Sequence, residues 1–119
     1  MRLLVLMSEE DHFGRWERST DAERQAVLGC FRAFSEAVRA RGSVLAGEAL
    51  AAPATARTLR PGPAAGRRVT EGPYAETVEQ TGGFYLVELP SLQDAVEAAR
   101  LLPAAYTIEV RPVIDAPVA

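Results

Sequence analysis

The sequence of 119 residues contains no lysine, and all 13 of its basic residues are arginine. Schiff-base chemistry, including the attachment of pyridoxal phosphate, needs a lysine amine and is therefore excluded. There is one cysteine, Cys30, and one histidine, His12. A single thiol cannot form a disulfide within the chain, and these two side chains are too few for a zinc site. We therefore expect no metal and no cofactor, and we expect Cys30 to be a buried, inert helix residue.

Long apolar runs and an excess of positive charge are also absent. The longest unbroken apolar run, residues 3–7, is too short to cross a membrane. No cleavage site of small residues follows this run, which predicts a cytoplasmic protein without a signal peptide. The net charge is −3 and the arginines are scattered along the chain, a pattern that argues against nucleic-acid binding.

The residues that are present have an ordinary globular composition. Hydrophobic residues make up 48% of the chain and charged residues 24%, which is typical of a folded, water-exposed domain. The length matches one domain. We predict a single domain over residues 1–119, with a loose tail after about residue 115.

Hydrophobic periodicity predicts the order of the elements. A helix begins at Thr20, where Thr20 and Glu23 have the spacing of a capping box, and it ends at Gly42. A second helix follows Ser91 and stops at Pro103. Residues 8–19 are predicted as a polar loop that either lacks helical structure or includes one helical turn. Strands are predicted over residues 2–7, 43–50, 55–60, 67–70, 84–89 and 106–114.

This order predicts an α+β fold of the ferredoxin-like plan, an antiparallel sheet with two helices on one face. The first strand is apolar on both sides, so the helix-free face of the sheet would expose leucine or valine side chains. A contiguous apolar face normally marks a partner, and a second copy related by a two-fold axis is the simplest one. We therefore predict a homodimer with a cavity between the sheet and its covering elements.

Residues 71–86, EGPYAETVEQTGGFYL, resemble the signature of the YCII-related family. They are most similar to its branch named for an Asp-Gly-Pro-Phe motif, whose pattern reads DGPFAETKEQLGGFY. Residues 47–50 and 110–113 also resemble family segments. The resemblance implies a ferredoxin-like chain that forms a dimeric α+β barrel. Glu71, Tyr74 and Val78 depart from the Asp, Phe and Lys of the motif.

The resemblance does not carry over a catalytic pair. Relatives in the wider family are proposed to use a His–Asp dyad, with the histidine early in the first helix. This sequence has no histidine between Thr20 and Arg41, and Leu102 stands where the aspartate would be. The resemblance therefore implies a fold more than an activity.

Three titratable residues are candidates for acid/base chemistry. His12 can titrate near neutral pH, and it is either a general base or an exposed loop residue. Glu48 is either an acid or base inside an apolar cavity or half of a structural ion pair. Glu71 belongs to a stiff turn that either faces the cavity or only sets the strand register.

Four further residues are candidates for binding a ligand. The Tyr74 hydroxyl could donate to a carbonyl or phenol oxygen of the ligand. Arg111 lies on the helix-free face beside Glu109, where it either meets a ligand or forms ion pairs across the interface. Tyr85 and Trp16 are either core residues or part of a cavity rim.

These observations predict a small-molecule-binding protein. In one interpretation it is a cofactor-independent isomerase or lyase that does acid/base chemistry on an oxygenated ring compound, because similar dimeric barrels catalyse isomerisation, elimination or cyclisation of such rings. The alternative is a non-catalytic ligand-binding or regulatory accessory protein, for example a partner of a transcription factor. No nucleic acid and no membrane is expected as a partner in either case.

Overall fold

The structure is a computed structural model that describes residues 1–74 and 78–117. It contains three α-helices, α1 (His12–Arg18), α2 (Asp21–Arg39) and α3 (Leu92–Ala99). Its six strands are β1 (Arg2–Glu10), β2 (Ser43–Ala49), β3 (Arg57–Leu59), β4 (Val69–Glu71), β5 (Glu79–Glu88) and β6 (Thr107–Pro112).

Four of the strands form one sheet in the order β2-β5-β1-β6, and every neighbouring pair is antiparallel. Because β5 lies between β1 and β2, those two strands run parallel, and the α2 helix connects them. This is the split β-α-β arrangement of a ferredoxin-like fold. The predicted α+β class and antiparallel sheet are confirmed, with one more helix than the two expected.

The two faces of the sheet differ sharply in burial. Along β1, Leu3, Val5, Met7 and Glu9 alternate as buried residues, and the helices cover that side. Leu4, Leu6, Phe84 and Leu86 lie on the opposite side, because Leu4 pairs with Leu86 and Leu6 pairs with Phe84. We call these four residues the open face; all are only half-buried, so the predicted apolar helix-free surface is present.

The core lies between the sheet and the helices α2 and α3. Phe34 and Val38 of α2 are fully buried there, together with Leu3, Val5 and Val87 of the sheet. The predicted capping box begins α2. The Thr20 hydroxyl accepts from the Glu23 amide at 3.1 Å, and the Glu23 carboxylate accepts from the Thr20 amide at 2.9 Å.

The prediction of a polar loop over residues 8–19 is wrong. Strand β1 continues to Glu10, because residues 8–10 pair with residues 79–81 of β5. The chain then turns at Asp11, which has a left-handed φ of 48°, and helix α1 begins at once. Strand β5 correspondingly starts at Glu79 rather than Phe84. The register shift between Met7 and Ser8 leaves Gly82 as an extra residue on β5, so it interrupts the alternation of β5, whereas the buried alternation of β1 continues to Glu9.

The strands predicted over residues 55–60 and 67–70 form a hairpin of the shorter strands β3 and β4, which pair only with each other. We call residues 51–74, which carry this hairpin, the arm. The polar residues 75–80, expected from the sequence to form a loop or one helical turn, include residues 75–77, which lie outside the described residues. The following helix α3 is capped by Ser91, whose hydroxyl accepts from the Asp94 amide at 3.1 Å.

Replacing Phe34 with Ala should lower the free energy of unfolding by about 3–5 kcal/mol, because a fully buried ring leaves a cavity that the core cannot close. Chemical denaturation measures this loss. Phe34→Leu is the control, and its loss should be clearly smaller. An alanine variant that is as stable as the leucine variant would contradict the placement of the core.

Candidate active site

A cavity of about 500 Å³ lies on the helix side of the sheet, between the strands β1, β2 and β5 and the helices α1 and α2. Most of its wall is apolar, and none of the described residues that line it is an arginine. Its aromatic residues on the helix side are Phe13, Trp16, Phe31, Tyr85 and Tyr106. Such a wall suits an uncharged ring compound better than a phosphate or carboxylate ligand.

A histidine–carboxylate pair forms part of this wall. Glu9 Oε1 lies 2.9 Å from His12 Nδ1, and the Arg15 guanidinium lies 3.7 Å from the other Glu9 oxygen. Glu9 is 8% exposed, and it is the one buried charged residue in the described part of the chain. A carboxylate removed from water is stable only where it is paired and hydrogen-bonded. His12 and Arg15 supply those partners.

The local backbone explains why the pair forms. Glu9 follows Met7 on the buried side of β1. The left-handed turn at Asp11 starts α1 with His12, three residues after Glu9. Gly82 of β5 then leaves space for the ring, since a Cβ atom at that position would lie 2.4 Å from His12 Nε2. Only glycine fits beside the imidazole in this position.

The pair has the geometry of an oriented general base. Because the Glu9 carboxylate can only accept, it favours the tautomer with hydrogen on Nδ1 of His12. Nε2 is then the nitrogen that can take a proton, and it lies beside Gly82, which lines the cavity. The rings of Phe13 and Tyr106 hold the imidazole edgewise, at centroid distances of 4.9 and 5.7 Å.

Two phenols of the cavity wall remain hydrogen-bond donors at neutral pH. Burial raises the pKa of Tyr106 to about 12, and the nearby charge of Glu9 acts in the same direction. Burial also raises the pKa of Tyr85, against a hydrogen bond from Ser35 and the charge of Arg39, which lower it. Protonated phenols can stabilise an oxygen that becomes negative during a reaction.

A second cavity of about 280 Å³ lies on the other side of the imidazole. His12, Trp16, Val27 and Tyr106 line both cavities and so separate them. The second cavity also contacts Glu9, Arg15 and Cys30. Cys30 is therefore partly exposed, and the expectation that it is buried is wrong, because its side of α2 faces this cavity and not the core.

Three of the predicted site residues lie together. His12, Trp16 and Tyr85 all line the larger cavity. Arg24 holds Trp16, with its guanidinium 5.0 Å from the ring centre and a 2.8 Å hydrogen bond to the Trp16 carbonyl. Glu48 also lines this cavity, but it pairs with Phe84 of the open face, so the register directs its carboxylate to the helix-free side.

The other predicted residues lie elsewhere. Glu71 and Tyr74 are on the arm, where the Glu71 side chain is 83% exposed and 3.9 Å from Arg57. Tyr74 is 80% exposed, and the cavity is not lined by either residue. Arg111 pairs with Leu4 across the strands and so lies on the helix-free face, where it forms an ion pair with Glu109 of its own strand.

Glu9, Tyr106 and Gly82 were not among the site residues predicted from the sequence. The signal for Glu9 was its position, since it continues the buried alternation of Leu3, Val5 and Met7. Strand register also pairs Gln80 with Glu9. The Gln80 side-chain oxygen is buried and has no hydrogen-bond partner among the described residues. An unpaired buried acceptor is unusual and is consistent with a functional site.

Fold and site together define a small α+β protein with a largely apolar cavity and a buried His–carboxylate pair. The model of the YCII-related domain matches residues 1–117, so the chain belongs to the YCII-related family. It is also similar to "Uncharacterized protein R00369" of Rhizobium meliloti (strain 1021), with 48% identity over 48 residues. That match covers 37% of this chain and 39% of the relative.

Among residues 1–74 and 78–117, no three His, Cys, Asp or Glu side chains are grouped as metal ligands. No helix within these ranges combines the length and apolar character needed to span a bilayer.

Gly82→Ala should lower the free energy of unfolding by about 1–3 kcal/mol, because the new methyl group overlaps the imidazole of His12. In a double-mutant cycle measured by denaturant unfolding, most of this loss should disappear when His12→Ala is also present. Gly29→Ala, whose methyl group would meet nothing closer than 3.7 Å, is the control. A loss that is independent of His12 would contradict the close contact.

Stability should fall as the pH rises from 10 to about 12, because the unfolded chain loses the Tyr106 proton before the native chain does. The phenol is only half-buried, so we expect a contribution of about 1 kcal/mol over this interval. In urea unfolding, Tyr106→Phe should reduce the loss of unfolding free energy over this pH interval by that amount. Tyr74→Phe removes an exposed phenol and is the control. An unchanged dependence in Tyr106→Phe would contradict the burial of this hydroxyl.

Proposed function

We propose that this protein is a cofactor-independent acid/base enzyme of the isomerase or lyase type that acts on an oxygenated ring compound. The observation that carries the proposal is the 2.9 Å contact between buried Glu9 and His12 in the wall of the apolar cavity. A purely structural ion pair would not need a cavity on each side of its imidazole. The cavity volume accommodates a ligand of one to three fused rings.

The residues suggest a sequence of proton transfers. His12 Nε2 removes a proton from carbon next to a carbonyl group of the ring, and Glu9 stabilises the imidazolium that forms. The Tyr106 phenol of the wall donates a hydrogen bond to the enolate oxygen. The imidazolium then returns the proton to a different carbon in an isomerisation, or it gives the proton to a leaving group that departs from the neighbouring carbon of the enolate in an elimination. The apolar wall excludes water while the intermediate exists.

We further propose that the chain is one domain and forms a homodimer through the open face. Leu4, Leu6, Phe84 and Leu86 offer an apolar surface on one side of the sheet, and packing two such sheets together would remove it from water. This is the dimeric α+β barrel expected from the resemblance. The turn at residues 71–74 supports membership of the Asp-Gly-Pro-Phe branch. The cytoplasmic location expected from the sequence stays a prediction.

Binding and proton abstraction can be tested before the substrate is known. 1-Tetralone, 4-chromanone and 2-coumaranone are screened first by thermal unfolding, together with related ring ketones and lactones that carry hydrogen on the carbon next to the carbonyl group. A compound at about 100 times its dissociation constant should stabilise the protein by about 2.7 kcal/mol. Each compound that binds is then incubated with the protein in D₂O, and mass spectrometry measures the deuterium incorporated at carbon.

We expect His12→Gln and Glu9→Gln to slow deuterium incorporation, the first by about 100-fold or more. Glu71→Gln, at the exposed arm position, is the control and should exchange at the wild-type rate. Binding without exchange in the wild type would favour the non-catalytic ligand-binding alternative. Exchange that survives in His12→Gln would contradict the role given to the imidazole.

A further inference from the structure

The arm, residues 51–74, extends away from the rest of the molecule. Its strands β3 and β4 pair only with each other, and a hairpin of two strands is marginally stable alone in water. The radius of gyration of the chain is 16.3 Å, whereas a compact domain of this length has about 13.5 Å. The arm therefore has the shape of an element that needs a surface to pack against.

One side of the hairpin presents apolar residues to solvent. Leu59 pairs with Val69, and Arg57 pairs with Glu71 on the same side. Leu59 is 53% exposed and Val69 is 57% exposed. We call these four residues the outer face of the arm.

On the other side of the hairpin, the threonine hydroxyls form hydrogen bonds within the arm. The Thr58 hydroxyl donates to the Gly72 carbonyl at 2.7 Å, and the Thr70 hydroxyl donates to the Thr58 carbonyl at 3.4 Å. The outer face is therefore the side that lacks a partner.

The arm also differs in charge from the rest of the chain. It holds four of the 13 basic residues and one of the 16 acidic residues, a formal charge of +3, which leaves −6 on the remainder. Between described residues, the one ion pair of the arm is internal and joins Arg57 to Glu71. Outside the arm, the exposed carboxylates of Glu10, Glu17 and Asp21 have no ion-pair partner among the described residues.

We propose that the outer face of the arm docks on the remainder of a second copy of this chain, which carries a net charge of −6. The inference rests on the homodimer in the proposed function and adds a second contact to it. Attraction between the basic arm and the acidic partner orients the docking, and burial of Leu59 and Val69 stabilises it. A two-fold axis makes the contact twice, once for each arm. Nucleic acid fits less well, because a phosphate backbone offers nothing to an exposed leucine–valine pair and the acidic remainder would repel it.

The test measures the dimer dissociation constant of the full chain by sedimentation equilibrium at low and high salt. Leu59→Ser combined with Val69→Ser should raise this constant about tenfold or more. Arg68→Glu should raise it and flatten its dependence on salt, because attraction between exposed charges is screened. Arg32→Glu makes the same charge change at an exposed position of α2 and is the control, with an expected change within about twofold.

Two further measurements distinguish a docked arm from a dimer that forms without the arm. Amide hydrogen exchange on the wild type should show that residues 57–71 gain protection when the concentration passes the dissociation constant. Thermal unfolding of each variant confirms that the remainder of the chain is folded. Dimers that survive both arm variants with unchanged constants and an unprotected arm would overturn the docking but leave the homodimer intact.

Two other results would overturn the docking. A wild type that stays monomeric at all concentrations would overturn both the homodimer and the docking, while the deuterium exchange assay would still test the cavity. Binding of a short single-stranded RNA that Arg68→Glu abolishes, with the dimer constant unchanged, would assign the arm to nucleic acid and overturn the docking.

Discussion

A buried carboxylate is the constraint on which this structure depends. Glu9 belongs to the covered side of β1 and is nearly inaccessible to water. Removing an unpaired carboxylate from water costs several kcal/mol. The chain offsets this cost with the imidazole of His12 at 2.9 Å and the guanidinium of Arg15 at 3.7 Å. Helix α1 supplies both partners. The Glu9 carboxylate therefore anchors this short helix to the sheet.

The same constraint creates the candidate site. The imidazole that contacts Glu9 separates a larger, largely apolar cavity from a smaller one. It is fixed by aromatic rings on one side and by a glycine backbone on the other. A side chain held in this way loses little freedom when a ligand binds, which is a condition for efficient acid/base chemistry. The structural role of His12 and its proposed catalytic role therefore follow from one hydrogen bond.

Much of the fold could be predicted from the sequence, because it depends on local signals. The Thr20–Glu23 capping box and the double-sided apolar pattern of β1 led directly to the observed helix and to the open face. Helix α1 could not be predicted in this way. It is short, rich in charge and begins after a left-handed Asp11. The Glu9 carboxylate stabilises this helix through its contacts with His12 and Arg15. Hydrophobic periodicity gives no information about such contacts between side chains.

The site was predicted less well, for a related reason. His12, Trp16 and Tyr85 were among the candidates, whereas Glu9, Tyr106 and Gly82 were not. The resemblance of residues 71–74 to the family motif favoured Glu71 and Tyr74, but both side chains lie on the arm and are exposed. Glu48 could be placed at the cavity, yet only the strand register shows that its carboxylate shares a face with Phe84. Such assignments depend on tertiary pairing, which one sequence does not show.

The tautomer of His12 tests the central claim most directly. The chain has one histidine, so the ¹⁵N spectrum of its imidazole can be assigned without ambiguity. In the neutral ring, we predict hydrogen on Nδ1 and a lone pair on Nε2 in the wild type, and a loss of this preference in Glu9→Gln. Hydrogen on Nε2 in the wild type, or a spectrum that Glu9→Gln does not change, would contradict the account.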